Sequence, residues 1–150
     1  MSTVVVSNGY KGYVTPRPFG GYFIPISVQS LILRDYCSRK KYLYNLHSGE
    51  NNFDNSYLVL EGICESAAKY KAVLMCSFHM LPRNKDRRIE MYKNFLSKNC
   101  EIHFILEGIV LDKINKIDEF ELIIQLSKIA GENFDHLLAN NGVVDDVQTN

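Results

Sequence analysis

Residues 12–37, with the sequence GYVTPRPFGGYFIPISVQSLILRDYC, decide the predicted fold. The stretch starts inside a strand that we predict over 11–15, because aromatic and β-branched residues are typical of strands. Two prolines around Arg17, followed by two adjacent glycines, predict a stiff and sharply turning loop. A helix is expected to begin at Ser27 as its N-cap and to end near Lys40. A loop between a strand and a helix N-terminus is a common ligand site in α/β proteins, so we predict a site around this arginine.

Outward from this stretch, strand-like and helix-like segments alternate along the chain. The continuous apolar run AVLMC at 72–76 is typical of a central strand that is covered on both faces. In the first helix, Val28, Leu31, Ile32 and Tyr36 recur at helical spacing and form the predicted apolar stripe. The other predicted strands cover 42–46, 101–106 and 109–111, and the other predicted helices cover 57–68, 86–98 and 117–130.

This alternation predicts an α/β protein with a mainly parallel sheet of four or five strands and helices on both faces, a single-domain three-layer sandwich. The domain is expected to cover 10–131, after a flexible lead-in at 1–9. The last helix should stop at Gly131, because glycine often follows a helix end. Residues 132–150 are predicted to be a partly disordered C-terminal extension, with a short helix around Phe134 to Leu138.

Composition narrows the function and the location. The chain has 17 basic and 17 acidic residues, which argues against a strong non-specific polyanion binder and leaves a local basic pocket open. No apolar run approaches the length of a membrane span, and no signal peptide is recognisable, so we predict no membrane insertion and a cytoplasmic location. The four cysteines and four histidines lack metal-ligand spacing. We therefore predict buried reduced thiols, no metal and no cofactor.

The carboxyl ends of parallel strands meet at one edge of the sheet, and candidate ligand-binding residues follow these ends. Arg17 and Arg83 lie in loops after two predicted strands, and a pair of guanidiniums suits an anionic ligand such as a phosphorylated or nucleotide-linked sugar. The alternatives are that Arg17 pairs with Asp35 or caps a carbonyl to hold the loop, and that Arg83 belongs to a solvated basic loop. Gln29, in the first turn of the first helix, and His103, on the polar face of the fourth strand, are further candidates for binding the ligand.

Three residues near the same edge are candidates for catalysis. Glu107 follows the fourth strand and could act as a general acid or base, or could instead form a salt bridge that fixes Arg17 or Arg34. Ser77 leaves the central strand and could bind a ligand oxygen or act as a nucleophile, although a turn-cap role suits it better. His79 could serve as a base, and an ordinary surface imidazole is the alternative.

Three blocks of this chain together resemble the bacterial family of sporadic carbohydrate cluster proteins. The blocks are GYKGYVTPRPFGGYFIPISVQSLILRDYC at 9–37, SFHMLP at 77–82 and EIHFILEG at 101–108. The resemblance implies an enzyme or enzyme accessory of surface-carbohydrate biosynthesis, such as that of lipopolysaccharide, O-antigen or capsule. The alternative is a non-catalytic interaction or regulatory module of the same pathway, and a homodimer is left open.

The layout is also similar, more distantly, to the catalytic domain of serine recombinases. A tyrosine-containing first strand, a helix with Gln29 and the turn HMLPR at 79–83 carry this resemblance, which implies a resolvase-like, flavodoxin-like fold. The chain departs from the pattern at two places. Thr15 opens the first loop without a matching nucleophilic serine, and Met80 stands where another arginine is expected. We therefore predict no DNA partner.

Overall fold

The computed structural model describes the backbone of residues 8–140 and the side chains of residues 8–131. It confirms the predicted α/β fold, because five strands form one sheet in the order β2-β1-β3-β4-β5, with β5 antiparallel to β4 and the other pairs parallel. The strands are β1 (Gly9–Val14), β2 (Tyr44–Gly49), β3 (Tyr70–Met75), β4 (Glu101–Phe104) and β5 (Ile109–Leu111). The helices are α1 (Ile26–Lys40), α2 (Leu58–Glu65), α3 (Lys85–Ser97) and α4 (Ile117–Asn140).

The core of the sheet is β3, as the apolar run predicts. This strand pairs with β1 on one side and β4 on the other. Its last four residues, Ala72 to Met75, are fully buried. Burying a large aliphatic side chain contributes about 1.5–3 kcal/mol, so this run stabilises the sheet at its centre.

Helices cover both faces of the sheet. A Cβ added to Gly12 of β1 would lie 3.0 Å from Leu33 Cδ1, so α1 packs closely on this face. The next residue, Tyr13, points to the opposite face, where its hydroxyl donates to Glu50 beside the start of α2. Helices α2 and α3 pack against each other on that face. These contacts give the three-layer arrangement.

The buried face of α1 differs from the predicted apolar stripe. Gln29, Leu33 and Cys37 face the sheet, whereas Val28 and Leu31 are 42% and 66% exposed. Apolar residues occur nearly all round this helix, so their spacing does not single out one face.

The predicted N-cap of α1 is also wrong. Pro25 occupies the N-cap position, and Ser27 lies inside the first turn. The proline ring fixes φ, and Pro25 combines its φ of −56° with an extended ψ of 147°, the non-helical backbone of an N-cap residue.

Helix α4 begins a second compact unit after the sheet-containing unit that ends at Lys116. The predicted stop at Gly131 is wrong, because the helix continues through this residue to Asn140 and includes the predicted short helix. A glycine inside a helix costs only about 1 kcal/mol relative to alanine, so it does not force an end. The predicted lead-in and tail fall largely on 1–7 and 141–150, outside the described residues. Over the described part of the chain, no helix is long and apolar enough to cross a membrane.

Candidate functional site

The carboxyl edge of the sheet gathers the segments that follow the four parallel strands. These segments are the β1–α1 loop at 15–25, the β2–α2 loop at 50–57, the turn after β3 at 76–84, and residues 105–108 after β4. The sequence predicted this grouping from the parallel topology. The side chains at the edge fall into two groups, those used inside the protein and those left at its surface.

Arg17 and Arg87 meet on one tyrosine ring at this edge. The Cζ atoms of Arg17 and Arg87 lie 4.7 Å and 5.1 Å from the centroid of the Tyr57 ring. One guanidinium nitrogen of Arg17 donates to the Phe53 carbonyl at 2.8 Å, and Arg87 forms an ion pair with Glu61. Cation–π contact orients both guanidiniums, and each retains further N–H donors for an incoming anion.

The described contacts join Arg17 to Arg87 rather than to Arg83. The side chain of Arg83 is exposed, and its carbonyl accepts a hydrogen bond from Arg88 at 2.7 Å. Asn84 caps α3 by accepting from the Arg87 backbone N–H at 2.9 Å. Sequence reasoning missed Arg87 because it lies in a charge run that resembled a solvated helix start. The asparagine three residues earlier was the available signal, since an N-cap fixes the first turn of a helix.

Asp35 pairs with Arg39 at 2.8 Å, one helical turn further along α1. The predicted alternative of a pair between Asp35 and Arg17 is therefore wrong. The other alternative, in which Arg17 caps a carbonyl, is confirmed by its hydrogen bond to Phe53.

Gln29 closes the β1–α1 loop from inside. Its side chain is completely buried, accepts from the Thr15 backbone N–H at 3.1 Å, and donates to the carbonyls of Thr15 and Ile24 at 2.7 Å and 2.8 Å. One amide thus ties the start of the loop to its end. The Gln29 amide therefore binds the protein's own backbone. The sequence predicted instead that this side chain contacts a ligand, and that role stays a prediction.

The loop between these ties contains a tight aromatic hairpin, residues 19–23. Phe19 and Tyr22 exchange two backbone hydrogen bonds of 2.9 Å, and Gly20 and Gly21 take φ values of +60° and +77° between them. Both central residues of a type I′ turn need positive φ, which glycine adopts without strain. Phe19 is buried, whereas Tyr22 and Phe23 are 73% and 66% exposed.

Glu50 is a buried carboxylate at the end of β2. It accepts hydrogen bonds from the Tyr13 hydroxyl at 3.0 Å and from the backbone N–H groups of Val59 and Leu60 at 3.2 Å each. Burial, and then the Glu50 charge, raises the pKa of Tyr13, so this hydroxyl keeps its proton. The free N–H groups at the start of α2 are satisfied by the protein's own carboxylate.

The three predicted catalytic residues shape the turn after β3. Ser77 is buried, and its Oγ accepts from the His79 backbone N–H at 3.1 Å. Glu107 Oε1 accepts from the Phe78 backbone N–H at 2.6 Å. The exposed His79 ring packs on Phe78, and a Cβ added to Gly20 would lie 2.8 Å from His79 Cδ2. These contacts fix the turn and seat the aromatic hairpin on it; the catalytic roles stay predictions.

His103 lies in the middle of the sheet, in register with Leu74 of β3, rather than at the carboxyl edge. Its ring is buried between the Tyr36 hydroxyl, 2.7 Å from Nδ1, and Glu101, 3.0 Å from Nε2. The rings of Tyr10 and Tyr42 pack edge-on against it. Burial lowers the pKa of His103, and the neighbouring carboxylate opposes this change. The predicted role in ligand binding stays untested.

All four cysteines are free and buried, as the sequence predicts. Burial raises the pKa of Cys76 and of Cys100 to about 12, so these thiols stay protonated at neutral pH. Within the described residues, no cluster of three or more His, Cys, Asp or Glu side chains could hold a metal ion.

No protein-family model matches the chain, and no curated protein matches it. Solved structures do resemble it, among them the following two, each over most of both chains. The N-terminal catalytic domain of TP901-1 integrase is 15% identical with a TM-score of 0.57, over 85% of this chain and 98% of that one. A resolvase family site-specific recombinase from Streptococcus pneumoniae is 13% identical with a TM-score of 0.56, over 93% of this chain and 99% of that one.

These findings correct three predictions. The proteins that share the fold are recombinases, and nothing found supports membership of the sporadic carbohydrate cluster family. The predicted role in surface-carbohydrate biosynthesis and the predicted sugar partner are therefore wrong, and so is the prediction of no DNA partner. The predicted resolvase-like fold is confirmed. The chain has the fold of serine recombinase catalytic domains.

Proposed function

We propose that this domain binds DNA through the carboxyl edge of its sheet and does so without cutting a strand. The observation that carries the proposal is the pair Arg17 and Arg87, which two separate segments bring to one tyrosine ring. Guanidiniums bind phosphate oxygens through paired N–H donors, and phosphate contacts supply most of the affinity of DNA-binding proteins. The shared Tyr57 ring reduces the freedom that each arginine would lose on binding.

The charges at this edge support a phosphate partner. Arg83 and Lys85 are exposed beside Arg87 at the start of α3, where Asp86 is the one exposed acidic residue among them. Two carboxylates of the same edge, Glu50 and Glu107, accept hydrogen bonds from backbone N–H groups of the protein. Net charge is zero for the whole chain, but a ligand responds to the local arrangement of charge.

The solved structures of this fold add a second line of support. Both are described as site-specific recombination proteins, an integrase and a resolvase family recombinase. We carry over to this chain only a DNA partner. The cytoplasm stays the expected location.

The hydroxyl groups of the edge favour binding over strand cleavage. Thr15 and Ser77 are each 3% exposed. Each hydroxyl oxygen accepts a backbone N–H, from Arg17 at 3.3 Å and from His79 at 3.1 Å. A nucleophile has to reach a phosphorus atom, and hydroxyls that are buried and cap turns do not meet this condition.

The test measures binding of a labelled duplex by fluorescence anisotropy over a series of salt concentrations. We expect R17A and R87A each to weaken binding about tenfold, equivalent to about 1.4 kcal/mol. Each should also lower the slope of log affinity against log salt by about 1. The matched control is R39A, which removes an arginine near the other end of α1, where it pairs with exposed Asp35.

Two outcomes would refute the proposal. One is absence of duplex binding even at low salt, and the other is an equal effect of R17A and R39A. Strand cleavage is tested separately with supercoiled plasmid. Nicking that disappears in T15A or S77A would contradict binding without cleavage.

A further inference from the structure

The aromatic hairpin at 19–23 presents two large rings to solvent in the loop that also carries Arg17. Tyr22 and Phe23 are 73% and 66% exposed, while Phe19 anchors the hairpin in the protein. Arg17 lies two residues before Phe19 in the same loop. Aromatic faces next to guanidiniums are the combination with which proteins bind single-stranded nucleic acid, because rings stack on bases and cations bind the phosphates.

The hairpin is held in one conformation before any partner binds. Two 2.9 Å backbone hydrogen bonds join Phe19 and Tyr22, and Gln29 ties the ends of the surrounding loop together. Gly20 packs so closely on His79 that a Cβ would lie 2.8 Å from the imidazole. A rigid hairpin loses little conformational entropy on binding, and its two exposed rings have few rotatable bonds.

We infer that the hairpin stacks on unpaired bases and makes the domain prefer single-stranded DNA over duplex. The inference rests on the proposed DNA-binding function and adds the kind of DNA. Bases in a duplex are stacked on one another, so their faces are closed to Tyr22 and Phe23. In a single strand the same faces are open, and Arg17 can hold the adjacent phosphates.

The exposed apolar face of α1 suggests a rival occupant, a protein. Leu31 is 66% exposed, the same fraction as Phe23, and lies on the helix that follows the hairpin. A protein partner would bury the aliphatic side chain together with the rings, whereas base stacking needs only the rings. L31A is therefore a matched control for removal of the rings.

The experiment compares binding of one labelled sequence as single strand and as duplex. We expect the wild-type protein to bind the single strand about tenfold more tightly than the duplex. The double variant Y22A/F23A should lose about tenfold or more for the single strand and less than about twofold for the duplex. L31A should match wild type with both DNAs, and thermal unfolding should show that every variant is folded.

A spectroscopic reading tests the stacking itself. The chain contains no tryptophan, so F23W introduces one indole next to Tyr22, at the C-terminal end of the hairpin. Stacking on a base should quench its emission as the single strand saturates the protein. Unchanged emission at saturation would overturn the inference.

The outcomes separate this inference from the proposed function. Duplex binding that R17A weakens, together with single-strand binding that Y22A/F23A leaves unchanged, overturns the inference and leaves the proposed function standing. An equal loss in L31A and Y22A/F23A also overturns it, because it points to a protein-type surface. Absence of binding to either DNA overturns both.

Discussion

The carboxyl edge of the sheet and the tyrosine cluster around His103 contain the same kinds of side chain and use them differently. At the edge, the rings of Tyr22 and Phe23 are exposed, and the Arg17 guanidinium donates to one carbonyl at the protein surface. In the cluster, both nitrogens of His103 already have partners, Tyr36 and Glu101. Residue type therefore does not distinguish a recognition surface from a structural anchor. Exposure and unused hydrogen-bonding capacity do.

Gln29 tests this comparison most directly, because it lies at the carboxyl edge yet is buried. Replacing it with alanine leaves two groups of Thr15 and one carbonyl of Ile24 without their partner. We expect Q29A to lose about 2–3 kcal/mol of the free energy of unfolding, because unsatisfied buried polar groups cost about 1–3 kcal/mol. Duplex affinity should fall as well, since the loop that carries Arg17 loses its tie. Denaturant unfolding and anisotropy measure the two effects.

The control for Q29A is V28A, which removes an exposed apolar side chain from the adjacent position and should change stability by less than about 0.5 kcal/mol. Stability and DNA affinity, measured together, show whether Gln29 anchors the loop or contacts the ligand. A loss of DNA affinity with unchanged stability would show that Gln29 contacts the ligand, as its place in the first turn of the helix predicted. A loss of both supports the anchoring role.

The sequence predicted the sheet better than the site, for physical reasons. The apolar run at 72–76 has one stable environment, a central strand, and β3 occupies it. A polar residue has two possible environments. The amide of Gln29, for example, can form its hydrogen bonds with a ligand or with the backbone of Thr15. Local spacing does not decide between them, because the partners are brought together by tertiary contacts. Arg87 was missed for the same reason, as its partner Tyr57 is 30 positions away.

Gly20 and Gly21 provide a matched pair for testing how the aromatic hairpin is seated. Both have positive φ, so alanine at either position introduces backbone strain of about 1–2 kcal/mol. An added Cβ at Gly20 would also approach His79 to 2.8 Å, whereas at Gly21 it would meet nothing within 4 Å. We expect G20A to be less stable than G21A by less than about 1 kcal/mol, because the exposed imidazole can move aside.

Denaturant unfolding of G20A and G21A, each with and without H79A, measures this difference. Removing the imidazole should reduce the difference between the two glycine variants, since only the Cβ of residue 79 would remain, 3.3 Å from the added Cβ at Gly20. If the difference is unchanged in the H79A background, the hairpin is not seated on the His79 ring. The carboxyl edge would then lack one of the contacts that shape it before a partner binds.

The smallest effect concerns the pH dependence of the His103 cluster. Burial lowers the pKa of His103 below its ordinary value of 6.5, whereas the hydrogen bond and charge of Glu101 raise it. In the unfolded chain the histidine takes up its proton as the pH falls through about 6.5, before the folded protein does. The free energy of unfolding should therefore decrease from about pH 6.5 downward and should not depend on this residue above about pH 7.5. Unfolding of wild type and of H103Q over this range isolates the contribution of His103, since other titrating groups are common to both.

A wild-type protein that instead gains stability relative to H103Q as the pH falls would show that the carboxylate outweighs burial. The cluster would then hold a charged imidazole, and its difference from the carboxyl edge would be one of exposure alone.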